Sequence, residues 1–167
     1  MKIDVKPFIR EGELIREDDV RLNRIAAAVV DVESLEDVHV EIKATYQEPL
    51  IVVDGTIDTV VHYTCSRCLT AFSRPLSTDF HQLYTTDANR ADDDIRWVEG
   101  DEIDLTPELE ESIFLAIDER PLCREDCLGL CPSCGVNHNE STCACETETV
   151  DPRLEALRGL LSDTPSE

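Results

Sequence analysis

Eight cysteines in this chain fall into four close pairs: Cys65/Cys68, Cys123/Cys127, Cys131/Cys134 and Cys143/Cys145. Two, three, two and one residues separate the members of each pair. The N-terminal run Met1-Lys2-Ile3-Asp4-Val5 alternates polar and apolar residues with no long apolar stretch behind it, so no secretory leader is expected. A chain that stays in the reducing cytoplasm gains nothing from disulfides, and paired thiols there serve metal binding. Soft thiolates in close pairs each supply two corners of a tetrahedral site, which suits zinc best. Four pairs make two four-thiolate sites, so two Zn2+ ions are expected.

The knuckle chemistry is plainest at Cys131-Pro132-Ser133-Cys134-Gly135. Two intervening residues let the chain turn tightly enough for both sulfurs to face one ion. Pro132 presets a turn dihedral, and Gly135 gives a permissive backbone just past the second ligand. Cys143 and Cys145 follow after the short loop Gly135 to Thr142. The favoured partition makes Cys131, Cys134, Cys143 and Cys145 one ribbon-like site and closes a second with Cys65, Cys68, Cys123 and Cys127. That second site would clamp the interval Leu69 to Leu122, and its binding energy would become folding energy. Cys123 and Cys127 stand four apart and are expected on one face of a single helical turn ended by Gly129. A different partition stays open, with Cys123, Cys127, Cys131 and Cys134 sharing one ion. His138 is not needed as a ligand, and His39, His62 and His81 read as ordinary strand residues.

At 167 residues the chain suits one domain with a small metal-bound appendage. No apolar run approaches a membrane span. Acidic residues number 37 against 15 basic, a formal charge of −22, and each four-thiolate zinc site would add two more negative charges. Such a surface repels a phosphate backbone and favours basic proteins.

The pattern predicts an α+β fold: an antiparallel β-sheet core, one or two helices, and a C-terminal zinc ribbon-like segment. Val38, Val40 and Ile42 alternate with polar residues as in a half-buried strand. Glu48-Pro49 breaks the run, and Leu50 to Tyr63 resumes it, with Gly55 suggesting a bulge or bend. The return strand runs from Leu69 through Tyr84, so Cys65 to Cys68 falls between two strands. Thr85 to Asp94 reads as loop, Ile95 to Val98 as a short strand, and Trp97 as a core anchor. Thr106 is expected to cap a helix over about 106–117, with Pro107 first in it and Leu109, Ile113, Ala116 and Ile117 on one face. Asp151-Pro152 opens a last helix over 151–161, and 162–167 is a disordered tail. Val20 to Val30 is compatible with helix, and Asp31-Val32 with the start of a strand. The expected organisation is a sheet domain over 1–120 and a cysteine-rich metal segment over 121–150.

These residues resemble the large ribosomal RNA subunit accumulation proteins, the YceD family, in their cysteine-rich form. The resemblance rests on Cys65-Ser66-Arg67-Cys68-Leu69, on Ile103-Asp104-Leu105, and above all on Cys127-Leu128-Gly129-Leu130-Cys131-Pro132-Ser133-Cys134-Gly135 with Asn137, Asn139, Cys143 and Cys145. Asp151-Pro152-Arg153 also matches; residues 1–37 match loosely, and His138 stands where an apolar residue is expected. The resemblance implies a bacterial cytoplasmic accessory protein needed for large-subunit ribosomal RNA to accumulate, through ribosome assembly. It implies no reaction.

Other classes fit less well. Cys65/Cys68 has the spacing of a thiol–disulfide redox pair, but such pairs sit at a helix N-terminus, and here the chain heads into a strand. A zinc adaptor in transcription or RNA processing would want a basic face; Arg120, Arg124, Arg153 and Arg158 are interleaved with acidic residues. No phosphate-cradling loop or nucleophile elbow marks a small-molecule substrate or an enzyme. The expected partner is therefore a basic ribosomal or assembly protein, with contact to ribosomal RNA indirect.

Overall fold

The computed structural model describes residues 1–22, 24–145 and Arg153. The helix expected over 151–161 and the tail 162–167 lie outside the described residues, Arg153 excepted. In chain order the elements are β1 (Lys2–Asp4), α1 (Val5–Glu11), β2 (Glu13–Val20), α2 (Arg24–Ala28), β3 (Val32–Leu35), β4 (Val38–Gln47), β5 (Leu50–Thr64), β6 (Ala71–Thr85), β7 (Ile95–Trp97), β8 (Glu102–Asp104) and α3 (Thr106–Ala116). By its internal contacts the chain divides into two compact units. One is Met1–Ser66 with Thr70–Cys123, and the other is Arg67–Leu69 with the chain from Arg124 onward.

The first unit is α+β and mostly antiparallel. Its main sheet runs β2-β4-β5-β6-β7, with β3 pairing β5 beyond the end of β4, and β1 and β8 form a separate two-stranded sheet. The spine is a hairpin of two 15-residue strands, in register from Leu50↔Thr85 to Thr64↔Ala71. Along β5 the odd-numbered residues Ile51, Val53, Ile57, Thr59, Val61 and Tyr63 are buried, the period of a strand with one face on a core. Val38, Val40, Ile42 and Ala44 repeat the pattern on β4. Pro75 is tolerated inside β6 because β7 covers that strand only at Leu83 to Thr85, leaving the proline on an open edge.

Four expectations need correction. Gly55 makes no bulge: pairing continues through Ile42↔Gly55 and Gly55↔Phe80. A Cβ at Gly55 would stand 2.2 Å from the Phe80 ring, so the glycine admits that ring rather than bending the strand. Trp97 is 49% exposed, because β7 is a three-residue edge strand paired in parallel to β6. Thr106 does not cap α3. Leu105 holds the N-cap position in αR geometry, and Asp104 Oδ1 accepts from the Thr106 N–H at 3.0 Å and from its hydroxyl at 2.6 Å. The helix ends at Ala116, which is exposed; buried Ile117 lies past the end in extended backbone, and Leu109 and Ile113 carry the packed face.

The N-terminal region holds more structure than its pattern suggests. Helix α2 falls inside Val20 to Val30 and β3 begins at Val32, as expected, but β1, α1 and β2 give little signal. Strand β2, Glu-Leu-Ile-Arg-Glu-Asp-Asp-Val, has no fully buried residue. Among the described residues no helix is long and apolar enough to cross a membrane.

Candidate metal centres

The strand period of β5 delivers the first cysteine. Cys65 continues the odd-numbered buried face one step past Thr64 and is 0% exposed. The chain then reverses through Cys65 to Thr70, where the Cys65 N–H donates to the Thr70 carbonyl at 3.0 Å and Leu69 takes φ +57°. The second knuckle repeats this geometry. The Cys131 N–H donates to the Val136 carbonyl at 2.8 Å, again five residues on, and Gly135 takes φ +74° at the position equivalent to Leu69. A left-handed residue directly after the second cysteine is common to both, and only one of the two is glycine.

The eight cysteines gather into two groups of four. Cys65, Cys68, Cys123 and Cys127 form one, and Cys131, Cys134, Cys143 and Cys145 the other; within each group the sulfurs lie within 4.8 Å of one another. Each group can hold a metal ion, and the second gives the C-terminal segment its ribbon-like character. The grouping is the local-plus-distant partition favoured from the spacing. The settings differ: Cys65, Cys68 and Cys127 are buried and Cys123 half-buried, whereas Cys134 and Cys145 are exposed and only Cys131 is buried.

Cys123 and Cys127 do not share a helical turn. The segment is an irregular turn closed by the Cys127 N–H on the Arg124 carbonyl at 3.2 Å, and the chain leaves it through Gly129 at φ +76°. Two cysteines four apart need only converge on one point, and a tight turn achieves this without the cost of starting a helix. At Gly129 a Cβ would come within 3.1 Å of the Arg67 carbonyl, which accepts the Leu130 N–H at 3.0 Å. Arg67 in turn donates from its guanidinium to the Cys127 carbonyl at 3.0 Å.

The loop between Cys134 and Cys143 carries a residue whose role the spacing did not disclose. Asn139 accepts from the Leu128 N–H at 2.9 Å and from Arg124 at 2.7 Å. Its amide donates to Cys127 Sγ at 3.4 Å and to Asn137 Oδ1 at 2.7 Å. A donor aimed at a sulfur favours the thiolate, so Asn139 supports a ligand-type atom of the first group from a loop spanning the second. An asparagine in a spacer has no periodicity to betray it; its recurrence with Asn137 in the resemblance was the one signal.

Electrostatics prepare the second group for a cation. Backbone N–H groups of Cys134 and Ser133 point at Cys131 Sγ and bring its pKa down to about 6. Hydrogen bonding with the Cys134 and Cys143 side chains pushes Cys145 up to about 12. The hydrogen bonds that lower Cys131 favour the thiolate a cation needs there, and a metal ion would displace the protons of the other three cysteines.

His138 belongs to neither group. Glu17, His39 and Glu41 form a third cluster, exposed and different in kind. His39 Nδ1 lies 2.9 Å from Asp19 and Nε2 3.3 Å from Glu17. The hydrogen bond with Asp19 raises the His39 pKa, with the Glu17, Asp19 and Glu41 charges acting the same way, so ion pairing accounts for this cluster.

Fold and sites together define a sheet protein with two four-cysteine centres, one of them in a C-terminal ribbon. The chain belongs to the family described as large ribosomal RNA subunit accumulation protein YceD, whose model matches residues 53–161. YlbN of Bacillus subtilis is 31% identical over 150 residues, covering 87% of this chain and 86% of the relative. A Mycobacterium tuberculosis protein is 31% identical over 122 residues, 68% of this chain. The chain spans 58% of the length of that mycobacterial relative. The chloroplastic large ribosomal RNA subunit accumulation protein YCED homolog 1 of Zea mays is 26% identical over 154 residues, covering 72% of this chain and 52% of the relative. No solved structure matches the chain.

Proposed function

We propose that this chain is a non-enzymatic accessory protein supporting the accumulation of large-subunit ribosomal RNA. In this reading it carries two structural zinc ions and acts by contacting a basic ribosomal or assembly protein. The observation that carries the zinc reading is the donor set: two groups of four sulfurs, each drawn within 4.8 Å. Zinc–sulfur bonds of about 2.3 Å place tetrahedral sulfurs roughly 3.8 Å apart, so a small contraction closes either group. Cys65, Cys68, Cys123 and Cys127 would hold one ion and Cys131, Cys134, Cys143 and Cys145 the other. Four thiolates leave no open position for water or substrate, which supports a structural rather than catalytic ion.

The partner follows from charge. With 37 acidic and 15 basic residues the chain has few cations to displace counterions from RNA, so its effect on RNA passes through a protein. The names of the plant relatives tie those proteins to large-subunit RNA accumulation and agree with this role.

A pull-down with intact, metal-loaded protein tests the reading. A basic protein should be retained at low salt and released as salt rises, because exposed charges are screened over about 8–10 Å near physiological ionic strength. Recovery of bare large-subunit RNA without protein would overturn it.

A further inference from the structure

Three residues, Leu128, Gly129 and Leu130, separate Cys127 of the first group from Cys131 of the second. This strip is bonded on two sides within the second compact unit. On one side lies the first knuckle: the Arg67 carbonyl accepts the Leu130 N–H at 3.0 Å, and the Arg67 guanidinium donates to the Cys127 carbonyl at 3.0 Å. On the other lies the loop Gly135 to Thr142, which joins Cys134 to Cys143 of the second group. Leu130 bridges Asn137, the Gly129 carbonyl accepts the His138 N–H at 2.9 Å, and the Leu128 N–H donates to Asn139 Oδ1 at 2.9 Å. Three loop residues thus pair in reverse order with the three strip residues. The pairing ends with the Asn139 amide at Cys127 Sγ, 3.4 Å away.

The amide can point only one way. Its oxygen faces the Leu128 N–H and the Arg124 guanidinium, groups that only donate, so its NH2 faces the sulfur. The loop builds this placement itself. Asn137 Oδ1 accepts the Asn139 backbone N–H at 3.0 Å and its side-chain NH2 at 2.7 Å. The Asn137 carbonyl accepts from the Glu140 and Ser141 N–H groups, both at 3.0 Å. The loop's ends have weaker support, since Cys134 is exposed and Cys143 half-buried. Shared ligation by these two cysteines would pin both ends and take away most of the freedom with which Asn139 can leave the sulfur. A donor on a ligand sulfur stabilises its negative charge, and such outer partners of metal ligands are worth about 10–100-fold in affinity. Asn139 reaches one sulfur of four, which puts it at the low end of that range.

We infer that Asn139 couples the two centres: with the second group closed on its ion, the loop keeps the Asn139 amide on Cys127, and the first group holds its ion about tenfold more firmly than it does alone. The coupling is reciprocal, so a filled first group strengthens the second. The inference rests on the two-ion reading given above and not on the identity of any partner.

Exchange of bound zinc against an excess of isotopically enriched zinc tests it, because both groups stay filled while each ion turns over. Native mass spectrometry of the full-length protein follows the exchange. The wild type should hold two ions and exchange them in two phases, the slow one from the buried first group. Asn139→Asp keeps an acceptor for Leu128 and Arg124, removes the donor to sulfur, and should quicken the slow phase about tenfold. Asn139→Ala adds no charge and should do the same. Cys134→Ser combined with Cys145→Ser leaves the second group two sulfurs and the chain one ion, whose exchange should quicken by a similar factor. Adding Asn139→Ala to that pair should change nothing more, because the contact is already lost. In cobalt-loaded protein Asn139→Ala should also move the sulfur-to-cobalt charge-transfer band to lower energy. A loop staple without influence on the sulfur would leave that band in place. Should the cysteine variant misfold, the exchange and the band of Asn139→Ala decide alone. A slow phase unmoved by Asn139→Ala, or factors that multiply when the substitutions are joined, overturns the inference. Fewer than two ions per wild-type chain sinks the two-ion reading and the coupling together. Two ions with unmoved exchange sinks only the coupling, and bare RNA in the pull-down sinks only the partner.

Discussion

The two knuckles make the same turn in opposite circumstances. Cys65 to Thr70 joins two 15-residue strands, and its first cysteine is the last residue of a buried strand face. Cys131 to Val136 is framed by a single isolated bridge, Leu130↔Asn137, and its second cysteine is exposed. Identical local geometry thus has different support. The first turn is dictated by the strands on either side, while the second has little besides its own hydrogen bonds and the ion proposed for it. The glycine pattern agrees. The left-handed position is Gly135 in the self-reliant knuckle and Leu69, at a conformation costing about 1–2 kcal/mol for an L-residue, where the hairpin can enforce it.

The largest test of this contrast is ligand removal. Cys65→Ser should destabilise the sheet itself by about 4 kcal/mol or more, since it puts a hydroxyl into a fully buried position and removes an ion ligand. Cys134→Ser should leave the sheet's thermal transition nearly unchanged while amide exchange rises across 130–145. Circular dichroism melting with hydrogen exchange checks both, and equal shifts of the sheet transition would dissolve the distinction.

Acid should separate the groups next. In the second group Cys131 has a depressed pKa, so its contribution is present above the ordinary thiol range and is lost as pH falls through about 6. Cys145 has a raised pKa, and its contribution as a thiol is lost only as pH rises toward about 12. Cys143 and Cys145 hold their protons more tightly than an ordinary thiol and the ribbon's sulfurs are the more exposed, so the second group should release its ion at higher pH than the buried group. Two steps of chromophoric chelator uptake during an acid titration, the first abolished by Cys134→Ser, would show this; one simultaneous step would refute it.

The smallest effect comes from exchanging the left-handed residues. Gly135→Leu should cost about 1–2 kcal/mol of local stability. Leu69→Gly should be nearly neutral, because relieving the strain is offset by the roughly 0.5–1 kcal/mol of extra chain entropy of glycine, and Leu69 is 64% exposed. Denaturant melts of the two variants read the difference directly.

The cysteine pairs and the long hairpin were legible because each rests on a strict spacing: thiol pairs around an ion, and the period-two alternation along β4 and β5. What escaped has no such period. Strand β2 lies at a sheet edge with half-buried and charged residues, so its alternation carries almost no hydrophobic contrast. Most tryptophans bury much of their area, yet the strand carrying Trp97 is too short to be covered. A glutamate in a first helical turn ordinarily faces solvent near the positive end of the helix dipole; that Glu108 turns inward, beside Tyr84 and Arg96, depends on a parallel pairing of β6 with β7 that no local pattern encodes. Asn139 escaped for the same reason, its partners other than Asn137 lying eleven to fifteen positions away.

The edges of the main sheet carry a last consequence. An open row of backbone donors and acceptors invites a second molecule to add a strand, the first step toward fibrils and precipitates. Here one border is β2, whose Glu13, Arg16, Glu17, Asp18 and Asp19 set charge against any incoming chain, and the other is β6, covered by the three-residue β7 only at Leu83 to Thr85 and interrupted by Pro75, which has no backbone donor. The same residues that hid β2 from its sequence pattern therefore keep this border of the sheet from recruiting copies of itself, and replacing them by valine and threonine would convert it into a growing end.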